Sequence, residues 1–185
     1  SDEIERYPIQ LYHHLCSKVN LENLKVLEVG SGRGGGASFI SRYHKPSKMY
    51  GIDLSPKAVD LCNENYNIDN LNFLIGDSEN IPFENGFFDV VINVESSHCY
   101  PSIPRFVNEV SRVLKPGGCF LYCDFVINSS IDDHLEKLDH KDLVSEKYTN
   151  ITENIIKASD LMTEQRKNLL KKVKSNYLKR LLESF

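Results

Sequence analysis

No stretch of this chain is apolar for long enough to cross a bilayer, and its opening residues carry no charged-then-apolar leader pattern. A cytoplasmic protein with no membrane span is therefore expected. Positive charge is not in excess: the net charge is −4 over 185 residues, which gives no general reason for nucleic acid as a partner. The five cysteines, Cys16, Cys62, Cys99, Cys119 and Cys123, are odd in number and never spaced as CxxC. That pattern argues against a zinc site and for free thiols in a reducing compartment, so no metal is expected. Internal repeats and low-complexity tracts are also lacking, and no convincing strand follows Ser129.

What is present is an ordinary globular composition, 41% hydrophobic and 26% charged, in a chain long enough for one domain with a real core. The chain centres on Lys25 to Ser38. Val26, Leu27 and Val29 form a short apolar run, the mark of a strand buried on both faces. It breaks into Gly30, Gly32, Gly34, Gly35 and Gly36, and a helix-compatible stretch follows from Ala37. A strand, a glycine loop and a helix make the first unit of a nucleotide-binding α/β fold. Gly30, Gly32 and Gly35 also satisfy the dinucleotide pattern GxGxxG, so a nicotinamide-dependent oxidoreductase is an alternative. Glu28 weighs against it, because a carboxylate at the strand end suits a ligand with a cationic end better than a pyrophosphate.

Strand and helix then alternate. The pattern predicts strands over 48–52, 71–75, 87–93 and 119–126, and helices over 38–43, 56–66 and 101–114. Ser55 and Pro56 mark a helix start, and Lys115-Pro116-Gly117-Gly118 a sharp turn. This alternation predicts a doubly wound α/β fold with a mainly parallel sheet and helices on both faces. A leading helix within residues 1–20, with Ile4, Tyr7, Leu11, Leu15 and Val19 near one face, reads as a helical cover. Residues 21–128 are the predicted core, and 129–185 a helical C-terminal segment. There Ser130 is placed to cap a helix, and a last helix from about Asp160 puts Leu161, Met162, Leu169, Leu170, Val173, Tyr177 and Leu181 near one stripe.

Motif I, Val26-Leu27-Glu28-Val29-Gly30-Ser31-Gly32, together with Ile81-Pro82-Phe83, Phe88-Asp89-Val90-Val91 and Arg112 to Gly118, resembles the class I S-adenosylmethionine-dependent methyltransferases over roughly residues 24–125. The run from Val94 to Pro101 together with Gly30 to Ser38 resembles one branch in particular, the phthiotriolone dimycocerosate methyltransferase-like proteins, which O-methylate a lipid-like hydroxyl. The resemblance implies S-adenosylmethionine as cofactor and a small-molecule or lipid-like acceptor. Glu28, Gly30, Ser31 and Gly32 would line the cofactor's methionine end, Asp53 and Leu54 would meet the ribose, and Asp77 and Ser78 the adenine. Asn93 and Glu95 follow the fourth strand near the ammonium. His98 reads as the general base, Asp124 as the acid that orients it, and Tyr100 as a wall of the acceptor pocket. A non-catalytic cofactor-binding module is a further alternative. The family closes its sheet with an antiparallel strand pair after the fifth strand; here none is legible.

Overall fold

The computed structural model describes residues Arg6–Lys172. Its order is α1 (Arg6–Cys16), β1 (Lys25–Val29), α2 (Gly35–Tyr43), β2 (Lys48–Asp53), α3 (Pro56–Asn65), β3 (Leu71–Ile75), β4 (Phe88–Val94), α4 (Ile103–Val113), β5 (Leu114–Cys123), α5 (Ile131–Leu138) and α6 (Thr152–Lys172). The five strands form one parallel sheet in the order β3-β2-β1-β4-β5. The order reverses between β1 and β4, and a ligand of such a sheet binds beyond the carboxyl ends of the strands at that switch. Among the described residues no antiparallel strand pair follows β5; there is only an isolated antiparallel bridge between His140 and Leu143.

Sequence periodicity explains the layers. Val26, Leu27 and Val29 of β1 and Val90, Val91 and Ile92 of β4 are buried on both faces, as a strand between covering helices requires. On α4, Phe106, Val107, Val110 and Val113 recur at helical spacing, and all are at most 1% exposed. Burying four such side chains contributes about 6–12 kcal/mol of transfer free energy, so this stripe is what seats α4 on the sheet. The helix starts where Ser102 Oγ accepts the Arg105 N–H and Pro104 fills the first turn. Ser55 caps α3 in the same way.

Several boundaries differ from the sequence reading. β4 runs Phe88–Val94 and α4 begins at Ile103. The predicted turn at Lys115–Gly118 is an irregularity inside β5: Leu114 pairs with Phe88, and pairing resumes between Cys119 and Val90. β5 ends at Cys123, so 124–126 lie outside it. Ser130 stands at the start of α5 but makes no side-chain cap. α6 begins at Thr152 rather than near Asp160, because Asn150 Oδ1 accepts the Thr152 N–H and starts it early. Of the residues read as its stripe, Val173, Tyr177 and Leu181 lie outside the described residues, as does Ile4 of the leading helix. Two compact units are distinguished, Leu11–Val144 and a second made from the two ends of the chain. Of the second, Arg6–Gln10 and the segment 145–172 containing α6 are described.

Candidate functional site

β1 delivers Glu28 into full burial at its carboxyl end. Its Oε1 accepts a 2.5 Å hydrogen bond from Tyr12 on α1. Burial pushes the Glu28 carboxyl up to about 7, while the Tyr12 hydroxyl and the Ala37 backbone N–H pull it down. Tyr12 fits because position 36 is glycine: a Cβ there would run into the Tyr12 ring. The same burial pushes the Tyr12 hydroxyl up, so it stays a donor, and raises the Cys16 thiol to about 12.

Beyond Glu28 the chain turns at Gly30 with φ +75, a conformation strained for other residues, and a Cβ there would lie 2.5 Å from Ser96 Oγ and 2.6 Å from Tyr100 Oη. The N–H groups of Gly30 and Ser31 both donate to the Ile52 carbonyl at 2.9 Å, tying the loop to the end of β2. Asp53 completes the tie: its Oδ2 accepts the Gly32 N–H at 2.8 Å and its Oδ1 the Ser55 N–H at 2.9 Å. Asp53 thus shapes the loop from the end of β2. Leu54, 70% exposed, follows it, and Ile75, 55% exposed, pairs in register with Asp53. Asp77 is exposed and Ser78 half-buried; Asp77 Oδ1 accepts the Glu79 N–H within its own turn.

Asn93, buried at the end of β4, shares its two Nδ2 hydrogens among three acceptors within 2.8–3.0 Å, the Val29 carbonyl, Ser96 Oγ and Tyr100 Oη. Tyr100, read from sequence as a pocket wall, therefore has its hydroxyl in the cluster that braces Gly30, where burial pushes it up to about 12. Glu95 follows with φ +48 and an exposed side chain.

Four buried polar atoms here lack a hydrogen-bond partner: Glu28 Oε2, Ser31 Oγ, Ser38 Oγ and Asn93 Oδ1. Buried polar groups are nearly always paired, so four orphans around one loop call for a ligand that supplies donors. All four can accept, which matches a cationic, hydrogen-rich group such as an ammonium. Among the described residues no group of three or more His, Cys, Asp or Glu side chains could hold a metal.

A second cluster lies beside the first. The turn Ser97–Cys99 after β4 and the residue after β5 bring His98 and Asp124 together, with His98 Nδ1 2.8 Å from Asp124 Oδ1. The Asp124 side chain is fully buried, and the His98 side chain is 30% exposed. Oδ1 also accepts the Phe125 N–H at 2.8 Å, while Oδ2 accepts Ser97 Oγ–H at 2.6 Å and the His98 N–H at 3.0 Å. Three donors already meet the two carboxylate oxygens, and an aspartate carboxylate only accepts, so His98 Nδ1 donates to Oδ1 and the ring keeps its lone pair on Nε2. The Phe125 ring lies 4.1 Å from the imidazole, centroid to centroid.

Sequence reasoning missed Tyr12, Ser96, Ser97 and Tyr122. Only Tyr12 left a signal, in Gly36, whose missing Cβ its ring requires. A cleft of about 640 Å³ lined by Pro82, Phe83, Phe87 and Arg112 lies at the opposite, amino-terminal ends of the strands. Arg112 is engaged there by Glu109, Asn85 and the carbonyls of Ile81 and Phe83, so it offers little to a ligand.

Residues 27–122 match the family described as "Methyltransferase domain". The chain is 41% identical over 170 residues to the phthiotriol/phenolphthiotriol dimycocerosates methyltransferase of Mycobacterium leprae, covering 88% of this chain and 63% of that protein. It is 48% identical over 124 residues to the fatty-acid O-methyltransferase of Mycolicibacterium smegmatis, covering 67% and 45%. A S-adenosylmethionine-dependent methyltransferase from Aquifex aeolicus is similar in structure, with a TM-score of 0.53 at 25% identity over 62% of this chain and 67% of that one. The chain spans about half to two-thirds of the length of these two mycobacterial relatives.

Proposed function

Because the chain belongs to the class I S-adenosylmethionine-dependent methyltransferases, we propose that it moves a methyl group from S-adenosylmethionine to a hydroxyl on a lipid-like small molecule, with His98 as general base. The observation that carries this reading is the His98–Asp124 pair at the carboxyl ends of β4 and β5, with Nε2 left free to take a proton. S-adenosylmethionine supplies a methyl already activated on a sulfonium. The protein has then to orient the acceptor and remove its proton. His98 Nε2 takes the hydroxyl proton as the oxygen attacks, and the ionised Asp124 stabilises the imidazolium that results.

The orphaned acceptors fit the cofactor's amino end. In this reading Glu28 Oε2 and Asn93 Oδ1 receive the ammonium, and Gly30, Ser31 and Gly32 line the methionine end. Asp53 and Leu54 hold the ribose, Asp77 and Ser78 the adenine, and Glu95 adds a second acid near the amino group. Residues 21–128 make up the cofactor-binding core. A lipid-like acceptor is supported by the names of the relatives and by Phe125 and Ile127, apolar and 63% and 77% exposed, the first with its ring tilted against His98.

The 48% identity to a fatty-acid O-methyltransferase favours a second reading, in which the acceptor is a carboxylate. A carboxylate is ionised at neutral pH and needs no base, so the two readings differ in their dependence on His98. Calorimetric titration with S-adenosylmethionine, S-adenosylhomocysteine and NADH comes first, followed by labelled methyl transfer to hexadecanol and to palmitate. Binding of both adenosyl ligands and transfer to the alcohol, lost in His98→Ala, is the expected result. Transfer to palmitate alone, insensitive to His98, replaces the hydroxyl reading. Binding without transfer to either acceptor supports the non-catalytic module, and binding of NADH alone returns the nicotinamide reading.

A further inference from the structure

The donors on Asp124 continue beyond it. Ser97 Oγ lies 2.6 Å from Tyr122 Oη, and Tyr122 Oη lies 2.7 Å from Nε2 of His134 on α5. Five side chains from β4's end, β5 and α5 thus form one hydrogen-bonded line, His98–Asp124–Ser97–Tyr122–His134.

The direction of every bond in that line follows from counting hydrogens. A hydroxyl has one hydrogen to give. Ser97 gives its hydrogen to Asp124 Oδ2, so it must accept from Tyr122. Tyr122 has then spent its own hydrogen, so His134 must donate to it from Nε2. Burial pushes the Tyr122 hydroxyl up, which keeps its hydrogen in place. Burial also holds His134 below its ordinary value, with Lys137 acting the same way and Asp124 and Asp133 against it. His134 is therefore a neutral imidazole near pH 8, where its tautomer is decided by the hydrogen bond it makes.

We propose that Ser97, Tyr122 and His134 are positioning residues that hold Asp124 in place and so fix His98 in its base-ready tautomer, an inference that rests on the general-base reading for its catalytic meaning. The two histidines at the ends of the line are in opposite tautomers, His98 protonated on Nδ1 and His134 on Nε2. α5, which supplies no group to the reacting atoms, is by this route part of the catalytic apparatus.

Long-range proton–nitrogen correlation spectra of the full, nitrogen-15-labelled chain at pH 8 read both tautomers directly and require no acceptor. The expected result is Nδ1–H on His98 and Nε2–H on His134. Nδ1–H on His134 overturns the proposal, because the line would then run the other way or be broken. Tyr122→Phe should release His134 into a tautomer mixture and speed solvent exchange of the His98 Nδ1–H. His134→Gln, whose amide can still donate, should leave that exchange slow, whereas His134→Leu should speed it. Equal exchange in all of these variants, with thermal melts confirming that they fold, overturns the proposal as well. In transfer to hexadecanol, Tyr122→Phe should lower kcat about five-fold with KM for S-adenosylmethionine unchanged. In a His98→Ala background it should do nothing further. If His98→Ala itself leaves transfer intact while the tautomers are as stated, the base reading falls and the structural line stands. If His98→Ala abolishes transfer and Tyr122→Phe costs nothing, only the positioning role falls.

Discussion

Two polar clusters sit side by side at the carboxyl ends of the strands, and they are built in opposite ways. Around the glycine loop, Glu28, Ser31, Ser38 and Asn93 each keep one buried polar atom unpaired. Around Asp124 every carboxylate lone pair is taken by a donor at 3.0 Å or less. An unpaired buried acceptor costs about 1–3 kcal/mol, and a ligand that supplies the missing donor recovers it as affinity. A fully paired network has nothing to gain from a ligand; its worth lies in a fixed geometry before the reaction begins. On the function proposed above, the first cluster is the place that binds and the second the place that acts.

That contrast can be broken from either side. The largest expected effect is on the acting side: His98→Ala should slow transfer to a hydroxyl acceptor by about 10²–10⁴-fold, while calorimetry finds cofactor affinity within a few-fold of the parent. Glu28→Gln sharpens the binding side through pH. The folded state holds the Glu28 proton up to about 7 against a usual 4.5, so it binds more protons than the unfolded state between those values. Stability from this group is therefore complete below about pH 4.5 and lost as pH rises through about 7, a cost of about 3 kcal/mol in the ionised form. Thermal or urea melts should find Glu28→Gln more stable than the parent by about that amount at pH 8 and no more stable at pH 4. The same variant should lose cofactor affinity, a gain in stability set against a loss of function.

Asp53→Ala removes the acceptor for two loop N–H groups and should weaken cofactor binding about 10- to 100-fold by calorimetry, leaving the His98 tautomer untouched. The smallest effect is expected from Tyr12→Phe, which deprives Glu28 of a donor. It should destabilise the cofactor-free chain by about 1–2 kcal/mol at pH 8, where Glu28 is ionised, and by less at pH 5.

Much of this was legible in the sequence because it depends on local chemistry. The apolar run before Gly30, the Ser55-Pro56 start of α3 and the stripe on α4 each announce an element within a few residues. The meeting of His98 with Asp124 also followed, once β4 and β5 were placed side by side. What escaped was long-range or set by single hydrogen bonds. Tyr12 lies sixteen residues before Glu28 and belongs to a helix whose periodicity pointed to other positions. Tyr122 and His134 read as ordinary strand and helix residues until the fold stacks them on Ser97. Asn150, which moved the start of α6 by eight residues, signals a helix no more strongly than any other asparagine.

The bond between Tyr12 and Glu28 also ties the leading helix to the end of β1. Oε1 is held by the helix while Oε2 stays open, so on the proposed reading a cofactor that engaged the free oxygen would tighten a carboxylate already gripped by α1. Ligand occupancy and helix docking then reinforce one another by linkage. Amide exchange in the Leu11–Cys16 turns should slow when the adenosyl ligand binds, and the helix becomes a reporter of whether the site is full.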